Sequence, residues 1–191
     1  MATDVVDSAS LKILSLNISG LRNKTKHILY LINKYKPDFI FLQETNINNL
    51  YTEKTTLELL RLEQSFCFFN YNTRKSNGTC ILQTSNRWTV TFCKYSHEGR
   101  TTLIRISNGS KSKILINVYA PTNPTERVAY YDNLFNALMR NKKDDIVMAG
   151  DFNITLSDKD LIILYPDKLE YTFENRAIGR ALRIDHMTFP V

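Results

Sequence analysis

A β-type run over residues 11–17 gives way, past the turn Asn17-Ile18-Ser19-Gly20, to a helical spacing that starts at Lys24. Ile28, Leu31, Ile32 and Tyr35 recur there at the three- and four-residue intervals of one helix face. Pro37 is expected to stop this helix, because it can neither continue the hydrogen-bond ladder nor leave Lys36 comfortably helical. Residues 38–43 follow as a short apolar run, and a buried strand after a helix starts a β-α-β layer. A second helix is expected over residues 55–63. Four β-rich runs come next, over 66–71, 78–84, 88–95 and 101–106, separated by short Asn-, Gly- and Ser-containing segments of the hairpin type. Residues 113–120 read as a further strand. Pro124 opens an amphipathic helix running to about Asn141, with Val128, Tyr131, Phe135 and Leu138 on one face. Residues 145–150 form another buried strand. The tail is less regular, with a helical turn near Leu161, a short strand near Thr172 and a last strand over 182–187. Hairpin-paired strands interleaved with a few helices predict a mixed α+β domain with its helices outside. It would occupy residues 11–191, after a flexible segment at residues 1–10.

Composition narrows the class. A hydrophobic share of 43% with 23% charged residues is that of an ordinary globular chain, not a disordered one. The net charge of +6 suits a phosphate-rich partner, although an excess of that size serves solubility equally well. The longest unbroken apolar stretches, 28–32 and 161–165, have five residues each, too short to span a bilayer. Residues 1–10 carry two aspartates and no apolar run, so no secretion signal is visible and an intracellular, membrane-free location is expected. Cys67, Cys80 and Cys93 form no metal- or redox-type pair and are expected as buried, reduced thiols.

The candidate chemistry sits at strand ends. Glu44 and Asp151 each lie just past a buried apolar run, where a single acid is usually a solvated cap. Two of them at one sheet edge make a hard-oxygen site suited to Mg²⁺ or Mn²⁺. In extended backbone Asp151 and Asn153 would share a face while Phe152 entered the core, although an Asx turn would use the same residues. Asn17 and Tyr119 close strands in the same way. Tyr119 could hydrogen-bond a phosphate or be an interfacial aromatic with a wet hydroxyl.

Six segments, in order, resemble the endonuclease/exonuclease/phosphatase family, and within it the endonuclease domain of non-LTR retrotransposons, itself similar to apurinic/apyrimidinic endonucleases. They are Leu14-Ser15-Leu16-Asn17, Leu42-Gln43-Glu44-Thr45, Asn117-Val118-Tyr119-Ala120-Pro121, Gly150-Asp151-Phe152-Asn153, Tyr171-Thr172-Phe173 and Arg183-Ile184-Asp185. The resemblance implies a four-layer α/β sandwich, two packed β-sheets flanked by helices. It also implies a Mg²⁺- or Mn²⁺-dependent DNA endonuclease that nicks by in-line phosphodiester hydrolysis. Glu44 would hold the metal with Asn17 beside it, and Tyr119 and Asn153 would bind the scissile phosphate. Asp151 would orient or activate water, Thr172 would support the site, and Asp185 would ordinarily orient a histidine. Arg176, Arg180 and Arg183 would fall on a hairpin that probes the DNA minor groove, where arginine suits a narrow electronegative groove. The implied setting is a monomer acting on DNA, nuclear where that DNA is chromosomal, with a reverse transcriptase region in a longer parent protein.

Two departures from the family pattern are legible. The family's terminal Ser-Asp-His segment has no counterpart after Met187, and the connection between Asp151 and Thr172 is short. His27, His97 and His186 are expected as surface or structural residues, since His186 follows Asp185 directly and in a strand would face the other way. A C-terminally incomplete domain without its usual last strand is therefore expected, with weak or no hydrolysis. The alternatives are a non-catalytic nucleic-acid-binding remnant and a phosphoesterase of the same fold with another substrate.

Overall fold

In the computed structural model, which describes residues 11–62, 66–71, 78–96, 98–109, 111–138 and 145–154 and the backbone of 187–188, the first β-α-β unit forms where the pattern expects it. Strand β1 (Ile13–Asn17) passes through a short 3-10 turn into helix α1 (Thr25–Tyr35) and returns as β2 (Phe39–Gln43), parallel to β1. Lys36, left-handed at φ 45°, closes α1 by donating its N–H to the Ile32 carbonyl at 2.9 Å. The helix thus ends at a backbone cap one residue before Pro37. Tyr35, at the end of the expected apolar face, is 47% exposed.

Helix α2 spans Leu50–Leu60, starting earlier than the expected 55–63. Asn49 sets the start, its side-chain oxygen accepting the Thr52 N–H at 2.9 Å. Leu50, Tyr51 and Leu59 point to solvent while Glu53, Thr56, Leu57 and Leu60 turn inward, so the apolar residues of this segment mark no clean helical face. Strands β3 (Cys67–Asn70), β4 (Thr79–Gln83), β5 (Thr89–Tyr95), β6 (Thr101–Ser107) and β7 (Ser112–Tyr119) follow, then α3 (Pro124–Leu138), β8 (Asp145–Asp151) and β9 (Met187–Thr188). The features expected near Leu161 and Thr172 lie outside the described residues, as does most of the strand expected over 182–187.

The strands form two mixed sheets, ordered β1-β2-β4-β3 and β5-β6-β7-β8-β9, with β1–β2 and β7–β8 as the parallel pairs. Alternation along β2 explains the stacking. Ile40 and Leu42 point into a cluster with Ile28 of α1 and Leu57 and Leu60 of α2. Phe39 and Phe41 point the other way, onto Ile104, Ile106, Leu115 and Val147 of the second sheet. The far side of that sheet, through Ile116, Val118 and Met148, packs on Tyr131 and Leu138 of α3. The order is therefore helices, sheet, sheet, helix: the four-layer sandwich. Val128, expected on the packed face of α3, is 64% exposed. Tyr130 and Leu134 pack there instead, beside Tyr131, Phe135 and Leu138.

The run 38–43 is buried throughout but not apolar throughout. Gln43 and Asn117 form a polar bolt between the sheets, Gln43 Nε2 donating to Asn117 Oδ1 at 2.7 Å. The Asn117 amide donates in turn to the carbonyls of Leu42 at 2.9 Å and Cys80 at 2.8 Å. A satisfied buried network of this kind fixes register, and here it pins the end of β7 against the end of β2. Cys67 and Cys80 are buried and free, the Cys67 thiol pushed up to about 12 by burial and the neighbouring Glu53 charge. Cys93 is only half-buried. No helix among the described residues is long and apolar enough to cross a membrane.

Asp38 anchors the opposite end of β2. Its Oδ2 accepts the Lys12 N–H at 2.9 Å and bonds Arg87, while its Oδ1 accepts from Arg87 Nε at 2.8 Å and the Ser85 hydroxyl at 2.5 Å. Burial alone would raise this carboxyl, but bonds from Arg87, Lys12 and Ser85 outweigh it and hold it below the ordinary carboxylate value. Asp38→Asn is expected to cost about 2–3 kcal/mol at pH 7, less than the roughly 3–5 kcal/mol of a fully buried broken pair, because Arg87 is partly solvated. A depressed carboxyl stabilises above its unfolded pKa and stops doing so as pH falls through the folded value. Urea midpoints of the two proteins should therefore converge below about pH 4. A gap that persists unchanged at pH 2 would count against this assignment.

Candidate active site

Strands β1 and β2 end together, with Asn17 opposite Gln43, and β7 and β8 end together, with Tyr119 opposite Asp151. Face-to-face packing, held by the Gln43–Asn117 bolt, brings these ends to one edge. Asn17 Nδ2 donates to Glu44 Oε1 at 2.9 Å and to Asp151 Oδ2 at 2.9 Å. The Tyr119 hydroxyl donates to the same Glu44 Oε1 at 3.0 Å. Four side chains from both sheets thus form one connected polar group.

Local backbone aims each of them. Glu44 is left-handed at φ 53°, a conformation that costs a non-glycine residue about 1 kcal/mol or more. Its carbonyl accepts the Gly20 N–H at 2.7 Å, which ties the loop after β2 to the loop after β1. Asn17 Oδ1 accepts the Ser19 N–H at 3.1 Å, so the amide is oriented with its nitrogen toward the carboxylates. Tyr119 is nearly buried, and its phenol is pushed up to about 12 by burial, then by the Glu44 charge and hydrogen bond and by Asp151, against an opposing effect of Arg100. At neutral pH the hydroxyl therefore keeps its proton and acts as a donor. The Arg100 guanidinium lies 5.4 Å from the centre of the Tyr119 ring.

Asn153 differs from the extended arrangement expected for it. It is left-handed at φ 51°, its N–H bonding Asp151 Oδ1 at 3.0 Å in an Asx turn and its Nδ2 donating to the Ala120 carbonyl at 2.7 Å. Phe152 does enter the core. The side-chain amide therefore joins the ends of β7 and β8 rather than pointing with Asp151. Thr172, Arg176, Arg180, Arg183 and Asp185 lie outside the described residues. Sequence reasoning missed Arg100, Ser19 and the bolting role of Gln43. A lone arginine after a glycine gives no signal, and a glutamine inside an apolar run was the one available hint.

The carboxylates and phenol at this edge offer oxygen, the chemistry a hard divalent cation takes, while Asn17 presents its amide nitrogen and keeps its oxygen on the Ser19 N–H. Among the described residues no group of three or more His, Cys, Asp or Glu side chains converges. The set thus fits a Mg²⁺-type ion bound through one or two carboxylates, with water and substrate oxygens completing the shell, and does not fit an all-protein cage.

A family model for the endonuclease/exonuclease/phosphatase family matches residues 14–189, and the chain belongs to that family. It is 30% identical over 156 residues to the transposon TX1 uncharacterized 149 kDa protein of Xenopus laevis, a match covering 79% of this chain and 12% of that protein. It is 25% identical over 170 residues to a DNA-(apurinic or apyrimidinic site) endonuclease of Dictyostelium discoideum, covering 82% of this chain and 45% of that one. The chain thus spans less than half the length of either relative. Among solved structures, an AP endonuclease from Archaeoglobus fulgidus matches with a TM-score of 0.60 at 20% identity, over 76% of this chain and 58% of that one. TDP2 from Caenorhabditis elegans matches with a TM-score of 0.58 at 20% identity, over 81% and 51%. At these identities the structural matches establish the shared fold.

Proposed function

We propose that the edge formed by Asn17, Glu44, Tyr119 and Asp151 is a divalent-metal-assisted phosphodiester-hydrolysing centre that nicks DNA. The observation carrying this is the single Asn17 amide nitrogen bonded to both carboxylates, with the Tyr119 hydroxyl on the same Glu44 oxygen. Glu44 would hold the Mg²⁺ or Mn²⁺, which would supply charge neutralisation on the phosphoryl and leaving oxygens. On substrate binding the protonated Tyr119 hydroxyl gives up its bond to Glu44 Oε1 and donates to a non-bridging phosphate oxygen. Asp151 orients the water and accepts its proton as the water oxygen bonds phosphorus and the bond to the leaving oxygen breaks. Asn17 keeps the two carboxylates in register, and Asn153 fastens the strand ends that carry Tyr119 and Asp151. In the same reading Thr172 supports the phosphate, Asp185 orients a catalytic group, and Arg176, Arg180 and Arg183 contact the duplex.

DNA as substrate is supported by the net charge of +6 and by relatives whose names specify it, among them an AP-site DNA endonuclease and a Danio rerio TDP2 complexed with single strand DNA product. The match to 12% of a transposon protein supports a module within a longer transposon-type protein. A monomeric state, a neighbouring reverse transcriptase region and action in the nucleus belong to the same proposal and follow from the retrotransposon resemblance alone. The test is nicking of supercoiled plasmid by the purified chain, in Mg²⁺ and in EDTA, beside Glu44→Ala. Nicking that needs Mg²⁺ and falls at least about 10³-fold in the variant is expected. Folded wild-type protein that binds plasmid in a salt-dependent way without nicking it would replace this reading with a non-catalytic DNA-binding role.

A further inference from the structure

Helix α3 reaches the candidate site from behind. Asn123 Oδ1 caps its first turn, accepting the Thr125 N–H at 2.9 Å and the Glu126 N–H at 3.3 Å, which fixes where the helix begins. One turn in, Arg127 and Tyr131 stand four residues apart and so share a face. The Arg127 guanidinium donates to the Asn153 carbonyl, and the buried Tyr131 hydroxyl donates to the Phe152 carbonyl at 2.9 Å. These are consecutive carbonyls of the turn that follows Asp151. That turn contains the left-handed Asn153, whose N–H holds Asp151 Oδ1 at 3.0 Å.

We propose that Arg127, seconded by Tyr131, is a positioning residue for Asp151: the helix grips the turn, and the turn aims the carboxylate. The proposal rests on the hydrolytic reading of the site. A non-glycine residue at positive φ persists only where its surroundings over-determine it. Here the surroundings are Ala120 on one side and the two α3 donors on the other. Without Arg127 the turn keeps its Ala120 bonds and the Tyr131 bond at Phe152 but loses its hold at the Asn153 carbonyl, so the Asn153 N–H that fixes Asp151 Oδ1 can shift. Asp151 Oδ2 then moves relative to Asn17 Nδ2, which meets it at 2.9 Å. Neither α3 residue touches substrate.

The experiment compares wild type, Arg127→Met, Arg127→Lys and Tyr131→Phe by melting temperature, by the side-chain amide NMR resonance of Asn17 and by plasmid nicking. The Asn17 resonance is assigned from its loss in Asn17→Ala. It reports on Asp151 without requiring activity or metal. In Arg127→Met it is expected to shift, with the Asn153 backbone amide exchanging faster, while Arg127→Lys restores part of both. Nicking should lose about 10- to 100-fold in kcat with KM little changed, the pattern of a misplaced catalytic group. A folded Arg127→Met whose Asn17 resonance matches wild type overturns the proposal, even if its melting temperature falls, because Arg127 would then only stabilise the fold. If wild type itself does not nick, the hydrolytic reading fails, while the Asn17 comparison still decides whether α3 sets the Asp151 geometry.

Discussion

Asp151→Asn is expected to lower Mg²⁺-dependent nicking by about 10³-fold or more while leaving plasmid affinity within about threefold. The substitution is nearly isosteric, so its effect comes from charge and hydrogen bonding rather than packing. Both carboxylate oxygens are acceptors: Oδ1 takes the Asn153 N–H at 3.0 Å and Oδ2 takes Asn17 Nδ2 at 2.9 Å. An amide there has one acceptor only. In one orientation it sets a donor against the Asn153 N–H, in the other against the Asn17 amide. Asn17 could answer by flipping, but its Oδ1 would then lose the Ser19 N–H at 3.1 Å. The variant thus removes the proton acceptor and misaligns the residue that registers Glu44. Single-turnover nicking and salt-titrated plasmid binding of the same preparation separate these effects from lost affinity. An Asp151→Asn protein nicking within tenfold of wild type would remove Asp151 from the mechanism.

The coupling through Asn17 also predicts non-additivity. Variants sharing one hydrogen-bond network do not lose activity independently. Asn17→Ala combined with Asp151→Asn should therefore be little worse than Asp151→Asn alone.

Much of this arrangement was legible along the chain, and what was not has identifiable causes. The β1-α1-β2 unit, the hairpin strands and the β7-α3-β8 unit follow from periodicity and from Pro37 and Pro124. Strand-end placement of Asn17, Glu44, Tyr119 and Asp151 follows from where each apolar run stops. Their mutual distances do not, because sheet order and face-to-face packing are long-range choices. The bolt between Gln43 and Asn117 shows why: neither amide has a partner nearby in sequence, Gln43 reaching Ser15 of the adjacent strand at 3.2 Å and Asn117 across the sandwich, and Asn117 reaching Leu42 of the facing sheet. Helix α2 was misplaced because Leu50 and Tyr51, which look like core residues, face solvent beyond an Asn49 cap. The extended reading of Asn153 continues period-two alternation two residues past the end of β8 at Asp151, whereas the chain turns left-handed at Asn153 and takes up the alternative Asx turn. In α3, Val128 fitted the apolar stripe by spacing, but the helix packs through a face centred on Tyr131 and Leu134.

Gly150→Ala is expected to destabilise the chain by about 4 kcal/mol or more, enough to leave much of a typical domain of this size unfolded. Gly150 pairs with Val118 across the parallel β7–β8 ladder and has φ +151°. A Cβ there would meet the Val118 carbonyl oxygen at 2.0 Å, its nitrogen at 2.7 Å and its carbonyl carbon at 2.8 Å. All three are backbone atoms of a strand held on its other side by β6, so no rotamer change relieves the contact. The strands must separate at the end that carries Tyr119 and Asp151. Gly109→Ala supplies the control: it too has positive φ, +88°, but an added Cβ meets nothing within 4 Å. It should cost only the conformational strain, about 1 kcal/mol. Urea unfolding of the two variants at one temperature therefore isolates the clash from the strain. Equal midpoints would mean that β7 and β8 do not approach as closely as the paired glycine requires. The hydrogen bonds that join Tyr119 and Asp151 to one Glu44–Asn17 group would then lose their structural basis, and the hydrolytic reading with them.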